Sequence, residues 1–173
     1  MPIFVKGDLL HAKVDLIIHQ CNCVTIKSHG LSEQIAKKFP FADIYSKRQA
    51  RSKNIAMVYD TPGDLVISRS VNAPIIVGLL GQIGPGKPFR WASTYKFDPK
   101  TDTPEQRLVY FKQGLDKLLT ICLEEKITSI GFPFQIGCGL AGGDWNDYLK
   151  AIINFETKLK FKVRIYQLDS FLE

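Results

Sequence analysis

Residues 134–143 read FQIGCGLAGG, four glycines within seven positions, between the apolar run TSIGFP and the amphipathic stretch DWNDYLKAIINF. A strand, a small-residue bend and a helix in that order limit the folds open to this chain more than any other feature. Glycine permits positive φ and close approach of a ligand to the main chain. The amides of such a bend, with the free N–H groups that open the next helix, converge on an anion. A phosphate or diphosphate fits there, at the carboxyl end of a strand, where open α/β sheets hold their ligands. No Gly-Lys-Ser/Thr follows, as a Walker loop requires, and the partner acid of a dinucleotide fingerprint is missing. Another arrangement must hold the phosphate.

The rest of the chain mixes strand and helix patterns. Residues 14–23 (VDLIIHQCNC) form an apolar, β-branched run that reads as a buried strand. Leu31, Ile35 and Phe39 recur at helical spacing, and Pro40 ends that helix. A second helix is predicted over 41–53, with Ile44 and Tyr45 inward. Short strands are predicted at 3–5, 56–59, 64–69 and 74–81, with turns at Pro62-Gly63 and Asn72-Ala73-Pro74. Residues 84–103 have no clear period but carry Phe89, Trp91, Tyr95 and Phe97, so an ordered, functional loop is expected. Thr103-Pro104-Glu105 opens the best helix, with Thr as N-cap and Pro in the first turn. Residues 162–168 alternate like a last strand. A single α/β domain follows, its mostly parallel sheet covered on both faces.

A length of 173 residues suits one domain that buries its core without staples. No apolar run approaches a membrane span and no secretory signal is visible. Four cysteines without a CxxC pair point to a reduced, intracellular compartment, the cytoplasm. The net charge of +6 favours anionic partners. The cluster at Lys37-Lys38, Lys47-Arg48 and Arg51-Ser52-Lys53 reads first as a solvated helix face, and second as an electrostatic funnel for a nucleotide or nucleic acid.

Two further signals carry chemistry. His19-Gln20-Cys21-Asn22-Cys23 ends a buried strand, where polar groups are costly unless satisfied or used. His19, Cys21 and Cys23 alternate onto one face if the strand holds. Histidine there acts as base, acid or ligand, or stands as a core residue bonded to backbone. Their spacing, with or without Cys138, matches no zinc pattern. Gly7-Asp8 follows the first strand, and its carboxylate either accepts from an exocyclic amine or caps a turn.

In this order the signals resemble a macro domain, and most closely the branch of ADP-ribose 1″-phosphate phosphatases. The resemblance is carried by Gly7-Asp8-Leu9-Leu10, Ile18-His19-Gln20-Cys21-Asn22-Cys23, Pro85-Gly86-Lys87-Pro88, Asp102 with Arg107 and Tyr110-Phe111, Gly137-Cys138-Gly139-Leu140-Ala141-Gly142-Gly143-Asp144-Trp145, and Ile165-Tyr166-Gln167-Leu168. It implies a three-layer α/β/α sandwich with a mixed, mostly parallel sheet of about six strands. It also implies a cleft for ADP-ribose or ADP-ribose 1″-phosphate. Asp8, beside Leu9, would hold the adenine amine, and Asn22, with Gly30, the distal ribose. Ile136, Gly137, Cys138, Gly139, Leu140, Ala141 and Gly142 would wrap the diphosphate. His19 and Asp144 are the implied catalytic pair, one of them polarising the water that attacks the terminal phosphate. A monomer that needs no cofactor, metal or membrane is expected. The alternatives are a non-catalytic ADP-ribose reader and a hydrolase that removes ADP-ribose from protein or nucleic acid. The chain departs from the family in the stretch 24–30, which has one glycine and so reshapes the distal ribose pocket. The glycohydrolase Asp is replaced by Ala141, and Lys87 is the nearest candidate for its Lys.

Overall fold

The computed structural model describes residues 1–168. Eight strands and four α-helices alternate along them: β1 (Ile3–Lys6), β2 (Leu16–Cys21), α1 (Gly30–Lys38), β3 (Ala50–Ser52), β4 (Ile55–Ala56), β5 (Leu65–Ser68), β6 (Ile75–Leu80), α2 (Ala92–Tyr95), α3 (Pro104–Glu124), β7 (Ile130–Pro133), α4 (Trp145–Glu156) and β8 (Arg164–Gln167). Six of the strands form one sheet in the order β1-β8-β7-β2-β6-β5. All neighbours pair parallel except the edge strand β5, which runs antiparallel to β6. The mixed, mostly parallel sheet between helical layers is the fold class read from the sequence.

The pleat of β2 explains the layers, because successive side chains point to opposite faces. Leu16 and Ile18 pack with Phe111, Leu115 and Leu118 of α3 and Ile152 and Phe155 of α4. Ile17, between them, packs with Ile35 of α1 and with Phe39 and Ala42. Both faces are buried, so β2 lacks the polar alternation of a half-exposed strand. Thr103 caps α3 through its hydroxyl, which accepts from the Gln106 amide, and Pro104 occupies the first helical position. Asp144 caps α4 in the same manner.

Two stretches depart from the sequence reading. The second helix, predicted over 41–53, is absent. Ile44 and Tyr45 are buried as expected, but residues 46–54 (SKRQARSKN) offer no large apolar side chain to hold a helix against the core. They run instead into the small β3–β4 hairpin. The chain at 84–103 folds into α2 and a 3₁₀ turn at Pro99–Thr101, with Tyr95 and Phe97 packed against Cys23, Ile83 and their neighbours.

Candidate functional site

A cleft of about 640 Å³ opens across the carboxyl ends of β2, β6 and β7. The chain leaves these parallel strands there and its loops diverge, which is where α/β folds place ligands. One wall is the bend after β7, from Ile136 to Ala141. Gly137 has φ +74°, and a Cβ there would lie 2.5 Å from Tyr148 Cε2 and 2.9 Å from Gln20 Oε1. Gly143 is fixed by crowding: its own Cβ would sit 2.5 Å from the Gly137 carbonyl. The bend is closed by its own backbone, with the Cys138 amide donating to Gln135 O, Gly142 to Gly139 O and Gly143 to Gly137 O. The amides of Gly139, Leu140 and Ala141 donate to no protein acceptor among the described residues. Leu140, at the tip, is 75% exposed.

A buried ion pair anchors this wall. Arg107 donates to both oxygens of Asp102, at 3.0 and 2.8 Å. Its remaining N–H groups reach Gly84 O, Gly86 O, Lys87 O and Ala141 O. Asp102 in turn accepts from the amides of Ile83 and Gly84. The guanidinium therefore ties the start of α3 to the segment after β6 and to the glycine bend. A planar, five-donor cation is suited to such a junction. The motifs that carry the resemblance include Asp102 and Arg107, whose role only the fold shows.

The opposite wall follows β2. Gln20 faces the glycine bend, and its Nε2 donates to Gln82 Oε1 at 2.8 Å. His19 points to the other face, its Nδ1 2.9 Å from Ser32 Oγ on α1. Cys21 Sγ lies 3.9 Å from its Nε2. The ring is 2% exposed, and burial lowers its pKa to about 4, so it is neutral at neutral pH. Asn22 lines the cleft, yet its side chain is already engaged. Its Oδ1 accepts from Val24 and Thr25 amides and its Nδ2 donates to Thr25 Oγ1. Tyr45 OH accepts from the Asn22 amide, and Arg48 donates to the Asn22 and Thr25 carbonyls while its guanidinium lies 4.6 Å from the Tyr45 ring centre. This engagement explains how the loop closes with so little glycine.

The structure brings together His19, Asn22, Gly30, Ile136, Gly137, Cys138, Gly139, Leu140 and Ala141 around one cleft. Gly142 borders the bend, with the Lys87 side chain packed against it. Three expected residues stand elsewhere. Asp144, expected to act as the acid, is outside the lining: it is exposed and its Oδ1 caps α4 through the Asn146 amide. Asp8 also lies outside the lining, with Oδ1 accepting from the Leu10 amide and Oδ2 3.3 Å from His11 Nδ1. Leu9 is buried in the core beneath α1.

The lining also includes His29, Tyr45, Asn54, Gln82, Trp91, Tyr95 and Phe134, to which the sequence reading assigns no site role. The aromatics of 89–97 were the one available signal. Asn54 holds the loop before α1 by accepting from the Ile26 and Lys27 amides. The lining contains no carboxylate among the described residues. Burial pushes the phenols of Tyr45 and Tyr95 up, and the thiol of Cys138 to about 11. No group of three or more His, Cys, Asp or Glu among the described residues could hold a metal ion. No helix among them is long and apolar enough to cross a membrane.

No family model matches the chain. Its architecture matches the macrodomain of Mycobacterium tuberculosis DarG with a TM-score of 0.69 at 22% identity, over 96% of this chain and 97% of that one. Thermosipho africanus DarTG in complex with ADP-ribose matches with a TM-score of 0.67 at 17% identity, over 97% of this chain and 41% of that one. The chain therefore has the macrodomain fold. By sequence it is 23% identical over 155 residues to a DNA ADP-ribosyl glycohydrolase of Mycobacterium tuberculosis, which covers 89% of this chain. It spans 38% of the length of the curated relatives it matches.

Proposed function

We propose that the cleft binds ADP-ribose, with the diphosphate on the bend after β7. The observation that carries this reading is the row of unengaged amides at Gly139, Leu140 and Ala141 on the wall of the cleft. Consecutive backbone donors facing a cavity are an anion site that needs no positive side chain. The volume lies in the range of small-ligand sites. Likeness of fold to a DarTG solved with ADP-ribose supports the same ligand.

The substrate we assign is ADP-ribose 1″-phosphate, from which the protein releases phosphate. A second set of open amides supports this: α1 begins in the same cleft, and its N-cap residue, His29, makes no side-chain hydrogen bond to the first turn. A helix start of this kind favours a phosphate. The ligand would thus meet one amide cluster at its diphosphate and another at its terminal phosphate. A second reading, removal of ADP-ribose from nucleic acid, is favoured by the name of the relatives, DNA ADP-ribosyl glycohydrolase, and by the net charge of +6.

Calorimetry with ADP-ribose tests the first step. The wild type is expected to bind ADP-ribose, with adenosine at least tenfold weaker. In Gly137→Ala the affinity should fall at least tenfold, because the new Cβ forces Gln20 or Tyr148 to move and reshapes the bend. No binding of ADP-ribose to the wild type would reject the reading. Phosphate release from the 1″-phosphate, against release of ADP-ribose from a modified oligonucleotide, separates the two substrates.

A further inference from the structure

We infer that His29 is the general acid of this cleft. The inference rests on the ADP-ribose 1″-phosphate reading and names the group that performs its proton transfer. Phosphate monoester hydrolysis leaves charge on the departing sugar oxygen, and a positioned acid is needed to neutralise it. No carboxylate among the described residues lines the cleft, so the proton must come from another side chain. The phenols of Tyr45 and Tyr95 and the thiol of Cys138 hold their protons too tightly, each pushed upward by burial. His19 is buried: Ser32 Oγ lies 2.9 Å from Nδ1, Cys21 Sγ lies 3.5 Å from Nδ1 and 3.9 Å from Nε2, and the residue is 2% exposed.

His29 differs from all of these. It is exposed, lines the cleft, and has no hydrogen-bond or ion-pair partner among the described residues. Its backbone is extended, and Gly30, which follows, has φ +57° with no atom within 4 Å of the position a Cβ would occupy. His29 is therefore an exposed residue of the cleft lining at the start of α1, with its side chain unused as a cap. Imidazole is the side chain that exchanges protons near neutral pH. The charged residues on the elements that meet at this loop are Lys27 on the loop itself, Lys53 on the hairpin whose Asn54 accepts from the Lys27 amide, and Glu33 on α1, the last paired with Lys37.

In the step, the oxygen of water forms a bond to phosphorus as the bond from phosphorus to the sugar oxygen breaks. The sugar oxygen keeps that electron pair and takes the proton of the His29 imidazolium. The extra proton of the attacking water leaves through the phosphate to solvent, and the neutral imidazole takes one back. The products are ADP-ribose and inorganic phosphate. The open amides of α1 hold the phosphoryl oxygens while this occurs.

The test compares wild type, His29→Ala and His29→Asn with ADP-ribose 1″-phosphate, reading phosphate release, and with ADP-ribose, reading affinity. His29 is exposed and makes no side-chain cap bond, so both variants should fold with a melting temperature near that of the wild type. Expected is a fall in kcat of about 100-fold or more in both variants, ADP-ribose affinity within threefold of wild type, and partial rescue of His29→Ala by added imidazole. Turnover by both variants within threefold of wild type would overturn the assignment and leave the phosphatase reading standing. Binding of ADP-ribose by the wild type without phosphate release would overturn both. Failure to bind ADP-ribose would reject the cleft reading itself.

Discussion

Two crossings leave neighbouring strands of the sheet on the way to a helix, and they are built in opposite ways. After β2, residues 22–29 are closed by side chains. Asn22 accepts from two loop amides, Asn54 from two more, and Arg48 covers two carbonyls. After β7, the bend is closed mainly by backbone, with one side-chain bond from the Cys138 thiol to Ile136 O, and pinned from outside by Arg107 on the Ala141 carbonyl. Closure by side chains removes the need for glycine but occupies the polar groups that a ligand would use. Closure by backbone demands glycine at the positive-φ position 137 and leaves consecutive amides of the lining without a protein acceptor among the described residues. The glycine-poor first loop is thus a loop whose satisfaction has moved to Asn22, Arg48 and Asn54. What remains open to a ligand at its end is the start of α1.

The largest expected effect comes from releasing the second crossing. Arg107→Met removes every bond that ties the glycine bend to α3 and leaves Asp102, which is fully buried, as an unpaired charge. Loss of one partner of a buried pair costs about 3–5 kcal/mol. Urea unfolding is expected to report a loss of that size, with ADP-ribose affinity falling as well because Ala141 is no longer held. A stability loss below about 1 kcal/mol would mean that the bend is shaped without its anchor.

The first crossing is probed by acid. His19 is neutral in the folded state, its pKa lowered to about 4 by burial, against an ordinary value of 6.5. The unfolded chain therefore binds the proton first. The stability that this group contributes is present above pH 6.5 and is lost as pH falls from there towards 4. Between pH 7 and pH 5 the loss is about 2 kcal/mol. Unfolding curves at the two pH values, for wild type and His19→Gln, check it: the variant should lack that part of the pH slope. Equal slopes would place the imidazole in contact with water.

How much of this was legible in the sequence depended on the distance between partners. Local rules found the Thr103-Pro104 start of α3, the arrest at Pro40, the buried run of β2 and the strand–bend–helix unit around Gly137. Each of these depends on residues within one element or its cap. The helix misread over 41–53 failed because Ile44 and Tyr45 look like the start of a stripe, while no large apolar residue in 46–54 continues it. Site roles failed differently. His19 and Ser32 are 13 residues apart, Asn22 and Arg48 26, and Ile83 and Asp102 19. A polar residue at the end of a buried strand signals that a partner exists; only the fold says whether that partner is protein or ligand.

The smallest expected effect separates the two meanings of the carboxylate that ends the second crossing. Asp144 stands where an acid beyond a phosphate bend invites a catalytic role, yet its Oδ1 accepts from the Asn146 amide at 2.9 Å as the N-cap of α4. A cap of this type contributes about 1 kcal/mol. Asp144→Ala should therefore lower stability by about that amount, with kcat for the 1″-phosphate within twofold of wild type. Asp144→Asn should recover most of the stability, because an amide oxygen caps nearly as well as a carboxylate. A general acid or base at this position would produce a different signature: both variants would lose about 100-fold or more in kcat, and the asparagine would keep its stability without its activity. The two readings thus predict opposite behaviour for the same pair of variants. In the structure the crossing ends in a side chain that completes the helix, and the general acid proposed above stands on the other loop, the one that enters α1.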